Sequence, residues 1–164
     1  MNTAHRIVVG IDGSPASTAA LVWAVRQAKT TGRPVLAVSV CRVNAKPPSS
    51  APMPITRPVG EDPFREQHAR DLRTAVEAVG RDADGIVIDQ LVPTGDPGAV
   101  LVELSADADG LVLGGHGYRK AGLTVIGSVA AYCLRHASCP VTVIPLAAIG
   151  DDGLVVPGAA QEFR

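Results

Sequence analysis

The chain has 164 residues, 46% of them hydrophobic and 19% charged, with a formal net charge of -1. That length suits one globular domain with an enclosed core, and so balanced a charge excludes a general electrostatic grip on nucleic acid or on an anionic membrane. Any anion it binds must be held locally.

The segment from Met1 to Ile11 holds only a short apolar run that passes straight into a glycine turn. This predicts neither a signal peptide nor a membrane span, and hence a cytoplasmic location. Cys41, Cys133 and Cys139 are odd in number, lack CxxC spacing and stand near no His or Cys cluster. They predict no disulfide framework and no metal site, and are read as small buried apolar residues.

Arg6 to Ile11 (RIVVGI) is a short β-branched run of the kind buried on both faces of a parallel sheet. It stops at Asp12-Gly13. Ser14 is placed to cap a helix with Pro15 at its first position, and Leu21, Ala24, Val25 and Ala28 recur at helical spacing until Gly32. Pro34 to Cys41 (PVLAVSVC) predicts a second strand, and the Pro- and Ser-rich stretch from Asn44 to Pro63 a loop. Phe64, His68, Leu72, Val76 and Val79 then form an amphipathic helical stripe, and Gly85 to Val92 (GIVIDQLV) alternates like a strand near a sheet edge.

Asp96-Pro97 repeats the cap-then-proline device and opens a short helix carrying Val100, Leu101 and Leu104. Gly110 to Gly114 (GLVLG) predicts a fourth strand ending in glycine. After Ser128, the residues Val129, Tyr132, Cys133 and His136 line one helical face, and Pro140 to Ile144 (PVTVI) is a last strand. The expected domain spans 1–146, and the Gly-rich remainder, 147–164, is read as a mobile C-terminal tail.

The order β-α-β-α-β-α-β-α-β calls for an α/β fold, a single-domain open parallel sheet with helices on both faces. Ligands of such sheets sit at the carboxyl ends of the strands, where successive crossovers leave in opposite directions. If the first and fourth strands are neighbours there, Asp12 and the Gly114 loop face one crevice.

The fourth strand runs into Gly114-Gly115-His116-Gly117; after nine intervening residues Gly127-Ser128 opens the last helix. A chain turning sharply out of a strand needs a bare Cα so that its N–H groups can converge on an anion. At the far end the N–H groups of Gly127, Ser128 and Val129 project from a helix N-terminus, whose dipole favours negative charge. Taken singly, each glycine is an ordinary strand exit or helix start; together, at this spacing, they predict a phosphate-sized cradle. His116, Arg119 and Lys120 lie in or beside the loop as candidate partners for phosphate charge.

With these residues in view, the chain resembles the universal stress protein family in its ATP-binding branch. The resemblance rests on that branch's pattern G-x-x-G, nine residues, G-[ST], matched by Gly114, Gly117, Gly127 and Ser128. Gly10-Ile11-Asp12-Gly13-Ser14 resembles its first turn, and His136-Ala137-Ser138-Cys139-Pro140-Val141 its entry to the fifth strand. The likeness covers roughly Arg6 to Pro145. It implies a five-stranded sheet of order 3-2-1-4-5, the adenine-nucleotide α-hydrolase-like architecture. Gly10, Ile11 and Asp12 would hold the adenosine, the backbone of Val40 and Cys41 would read the adenine edge, and Gly114, Gly115, His116, Gly117, Gly127, Ser128 and Val129 would hold the phosphates of ATP, with or without Mg2+. It also implies a homodimer joined through the strand from Val141 to Ile144, whose apolar edge needs cover.

The chain departs from the family at Ala130, where nucleotide-binding members often carry a second hydroxyl; a lost hydroxyl contact is worth about 0.5–1.5 kcal/mol. It has no G-x-x-x-x-G-K-[ST] motif, no G-x-G-x-x-G after the first strand and few carboxylates near the glycine loop. The leading expectation is therefore a regulatory, ATP-binding stress-response homodimer rather than an enzyme. Slow ATP hydrolysis or phosphoryl transfer at the same site, and a dimeric scaffold with a remnant site or another small ligand such as a cyclic nucleotide, are the alternatives.

Overall fold

The structure, a computed structural model, describes residues 5–42, 63–115, 118–120 and 123–145. The loop expected over Asn44 to Pro63 falls almost wholly outside these residues, as do His116, Gly117 and the tail 147–164.

Five parallel strands form the central sheet: β1 (Ile7–Gly10), β2 (Val35–Val38), β3 (Ile88–Leu91), β4 (Gly110–Gly115) and, last in the chain, β7 (Val141–Pro145), in the order β3-β2-β1-β4-β7. This is the order 3-2-1-4-5 that the resemblance implies. The helices are α1 (Pro15–Thr31), α2 (Pro63–Val79), α3 (Pro97–Leu104) and α4 (Ser128–His136), with a 3-10 turn over Gly80–Ala83.

The ends of the helices follow from local chemistry. Ser14 Oγ accepts the N–H of Ser17 at 3.2 Å with Pro15 at the first helical position, and Gly32 closes α1 in the left-handed region at φ 68°. Asp96 Oδ1 accepts the N–H of Ala99 at 3.1 Å, again followed by proline.

Alternation along the strands divides the core in two. Ile7, Val9, Val35 and Ala37 face α1 and α2, where they meet Leu21, Val25, Leu72 and Val79. Val8, Leu36, Val38, Leu111 and Leu113 face the other way, toward Leu101 of α3 and Ala130 and Cys133 of α4. Burial on both faces is why β1 and β2 read as continuous apolar runs rather than alternating ones.

The nine residues between Gly117 and Gly127 read as a loop in the sequence. Instead, they contain a two-stranded antiparallel ribbon, β5 (Tyr118–Lys120) against β6 (Leu123–Val125), with Arg119 opposite Thr124. A ribbon this short carries too few residues for hydrophobic periodicity to reveal it.

Candidate functional site

Since β1 lies between β2 and β4, the crossover after β1 and the one that reaches β4 pass on opposite faces, and a cleft opens at the carboxyl ends of these strands. A cavity of about 390 Å³ occupies it, lined by Gly10, Ile11 and Asp12 after β1, by Val38, Val40, Cys41 and Arg42 around the end of β2, and by Leu113 and Gly114 of β4. The remaining wall comes from the first turns of the helices: Ser17 of α1, Phe64 and His68 of α2, Pro97 and Leu101 of α3, and Gly127, Ser128, Val129 and Ala130 of α4. Helix N-termini thus converge on one volume, and their dipoles make it attractive to an anion.

Gly10, Ile11, Asp12, Val40, Cys41, Gly114, Gly127, Ser128 and Val129 were each expected at the site, and all nine line this cavity. Gly115 does not: it pairs with Pro145 in the ladder, and a Cβ there would lie 3.0 Å from Val143 Cγ1. His116 and Gly117 lie outside the described residues.

The turn after β1 is built around two side chains. Asp12 Oδ1 accepts the N–H of Ser14 at 3.0 Å, which shapes the entry to α1, while the carboxylate stays exposed at the cavity mouth. Ser17, buried, donates its hydroxyl to Ser14 O at 2.8 Å and accepts the Asp12 N–H at 3.4 Å. The capping chemistry of Asp12 and its place at the cavity are therefore compatible.

At the end of β2 the backbone has divided duties. Ser39 N–H bonds to Leu91 O and Cys41 N–H to Pro93 O, while Cys41 O accepts from Gly95 N–H. Val38 O, facing the other way, accepts from Ile11 N–H at 2.8 Å. Successive residues of a parallel strand alternate in the neighbour they address, so the N–H and C=O of Val40 turn toward the β1 side, past the point where β1 has ended. Cys41 lines the cavity, but its backbone polar groups are committed to the 93–95 segment.

Gly114 has a packing duty that spacing alone did not reveal. A Cβ on it would stand 2.5 Å from Ala16 C and 2.6 Å from Ser17 N, inside the backbone of α1. The N-terminal turn of α1 rests directly on the exit of β4, and that contact brings Asp12 and Ser17 beside the glycine loop.

Sequence reasoning missed Arg42, His68 and Phe64 as parts of the site. His68 and Phe64 sat in the apolar stripe of α2, which is core at Leu72 and Val79 but overruns the sheet at its N-terminal end. Arg42 carried no pattern at all. Ala130, only 3% exposed, stands at the cavity wall and offers it a methyl group with no hydrogen-bonding side chain.

Cys133 lies behind this wall with no exposed surface, its thiol 3.9 Å from Gly98 O. Burial, reinforced by Cys139 and Asp96, pushes the thiol up to about 11. It is a packing residue, as expected, and no nucleophile at neutral pH. Among the described residues no group of three or more His, Cys, Asp or Glu is arranged to hold a metal, and no helix is long and apolar enough to cross a membrane.

Known proteins with this arrangement are informative. Residues 3–145 match the model of the universal stress protein family. A universal stress protein of Mycobacterium tuberculosis is 38% identical over 143 residues, covering 85% of this chain and 48% of that protein; the chain spans about half the length of the curated relatives it matches. Among solved structures, the universal stress protein from Archaeoglobus fulgidus in complex with dAMP aligns with a TM-score of 0.62 at 21% identity, covering 87% of this chain and 99% of that one. A universal stress protein in complex with cAMP aligns at 0.56 and 22%, covering 88% and 98%. With the strand order, the cleft and the glycine spacing in place, the chain belongs to the universal stress protein family.

Proposed function

We propose that the chain binds an adenine nucleotide, ATP, in the cavity between β1, β2 and β4, and acts as a homodimeric regulatory module of the stress response. The observation that carries this reading is the convergence of the Gly127-Ser128-Val129 helix start, Gly114 and Asp12 on one cavity of about 390 Å³, a volume within the range of small-ligand sites. The phosphates would sit at the N-terminus of α4, the ribose hydroxyls would donate to Asp12, and the backbone of Val40 would read the adenine edge. The related structures in complex with dAMP and with cAMP support a nucleotide of this class.

Asp12 is the one carboxylate among the described residues lining the cavity. Any Mg2+ would be held mainly by the nucleotide's own phosphates, and Asp12 would orient the ribose rather than form a metal cage. With so few acidic or basic groups placed to act on a γ-phosphate, binding fits the site better than turnover. A second reading, a nucleotide with a single phosphate, gains from Ala130, since a wall without that hydroxyl offers one fewer donor to a longer phosphate chain.

The experiment is a Ser128→Asp variant titrated with ATP by calorimetry. Ser128 opens α4, so a carboxylate there complements the helix dipole and leaves the fold intact, but it puts negative charge in the phosphate cradle. ATP affinity is expected to fall more than tenfold with the melting temperature unchanged or raised. Unchanged affinity would remove the phosphates from this end of the cavity.

A further inference from the structure

On the wall of the cavity contributed by α2, His68 is one half of a polar pair that the glycine loop and the Asp12 turn do not use. Ser39, just past β2, has no exposed surface, and its Oγ lies 2.8 Å from His68 Nδ1. A buried hydroxyl left undonated is costly, and among the described residues His68 Nδ1 is the acceptor in reach. With Ser39 donating to Nδ1, the arrangement that leaves no buried hydroxyl hydrogen unused, the imidazole proton resides on Nε2. Ser39 does not line the cavity, whereas His68 does. The pair is thus not a nucleophile with its base: the serine is out of reach of a ligand and the histidine is in reach.

Phe64 shares this wall one helical turn before His68, and Arg42 stands beyond the end of β2; the phosphates, assigned above to the start of α4, Gly127-Ser128, belong to a different element of the lining, which leaves the nucleoside for the α2 wall. Along α2 the same stripe continues into Leu72, only 1% exposed. A purely apolar stripe would pack the core equally well, so the polar pair at its end does more than fill space.

We propose that His68 is a specificity-determining contact for the nucleoside part of the ligand, its Nε2–H donating to an acceptor on the base or ribose, and that Ser39 is the positioning residue that holds this tautomer. The inference rests on the nucleotide reading of the cavity, and the test separates the two.

The wild-type chain and the variants His68→Ala, His68→Gln and Ser39→Ala are titrated with adenosine, AMP and ATP, with melting temperatures recorded alongside. His68→Ala is expected to lose affinity by roughly three- to tenfold, the value of one hydrogen bond, and by the same factor for all three ligands. His68→Gln, whose amide supplies an N–H donor of similar reach, is expected to recover part of the loss. Nitrogen-15 spectra of the imidazole should show one fixed Nε2–H tautomer in the wild type and a mixture in Ser39→Ala, a change that a merely structural serine would not cause. A loss that grows from adenosine to ATP would reassign His68 to the phosphates and overturn the proposal, as would unchanged affinity in His68→Ala or an Nδ1–H tautomer in the wild type. A wild-type chain that binds none of the three overturns the nucleotide reading itself.

Discussion

Gly114 has a packing duty that cannot be separated by substitution from the ligand role proposed for it. Its spacing to Gly127 suggests a phosphate loop, yet the structure gives it an immediate reason to be glycine: the backbone of Ala16 and Ser17 occupies the space where a Cβ would be. Gly114→Ala would push α1 off the sheet and is expected to destabilise the fold by about 1–3 kcal/mol, the usual cost of overpacking, measured by urea denaturation. Wild-type stability in that variant would show that α1 yields easily there. Loss of nucleotide binding at this position alone would therefore not separate the site from the packing, and Ser128 is the better probe. Gly127 and Ser128, by contrast, were legible in the sequence because a helix start announces itself locally. Arg42 was not, since a lone charge at a strand end is ordinary until the fold sets it beside a cavity. His68 was read only as part of the amphipathic stripe of α2, because helical periodicity cannot tell where a sheet ends and a cavity begins.

The elements were legible where their ends have chemistry. Ser14-Pro15, Gly32 and Asp96-Pro97 marked helix boundaries that the structure reproduces. The buried strands showed as continuous apolar runs, although β2 proved shorter than its apolar run, ending at Val38 while Cys41 forms an isolated bridge to Thr94. The β5–β6 ribbon went unseen. Two predictions belong to this scale. Ser14→Ala, which removes the cap on α1, is expected to cost about 1 kcal/mol; a thermal melt that does not move would mean that packing against β4 alone holds the helix start. At α4, Cys133 remains protonated in the folded chain up to about pH 11 but ionises near 9 when unfolded. Between those values the unfolded state binds fewer protons, so stability falls as pH rises. The slope between pH 9 and 11 should be smaller in Cys133→Ala than in the wild type, and equal slopes would contradict the burial argument.

For the molecule as a whole, assembly turns on β7, which closes one side of the sheet with an apolar sequence and only partial burial. Leu111 N–H bonds to Pro140 O, and the alternation of a parallel ladder then directs the N–H of Thr142 and Ile144 to β4 and those of Val141 and Val143 outward. If two chains pair through this edge, Val143→Pro removes an outward donor while sparing the ladder to β4, and light scattering should change from the mass of a dimer to that of a monomer with the helical circular dichroism retained. A wild-type chain that is monomeric at micromolar concentration would refute pairing through β7. The parallel sheet with helices on both faces was legible from the alternation of strands and helices; the strand order came from the family resemblance, and the position of the cleft followed from that order.

The claim on which the rest depends is that this cleft holds an adenine nucleotide. Calorimetric titration of the purified chain with ATP tests it most directly. One site per chain with an affinity that Ser128→Asp weakens more than tenfold is the predicted result. No measurable binding of ATP, AMP or adenosine, with no nucleotide retained by the purified protein in mass spectrometry, would contradict it.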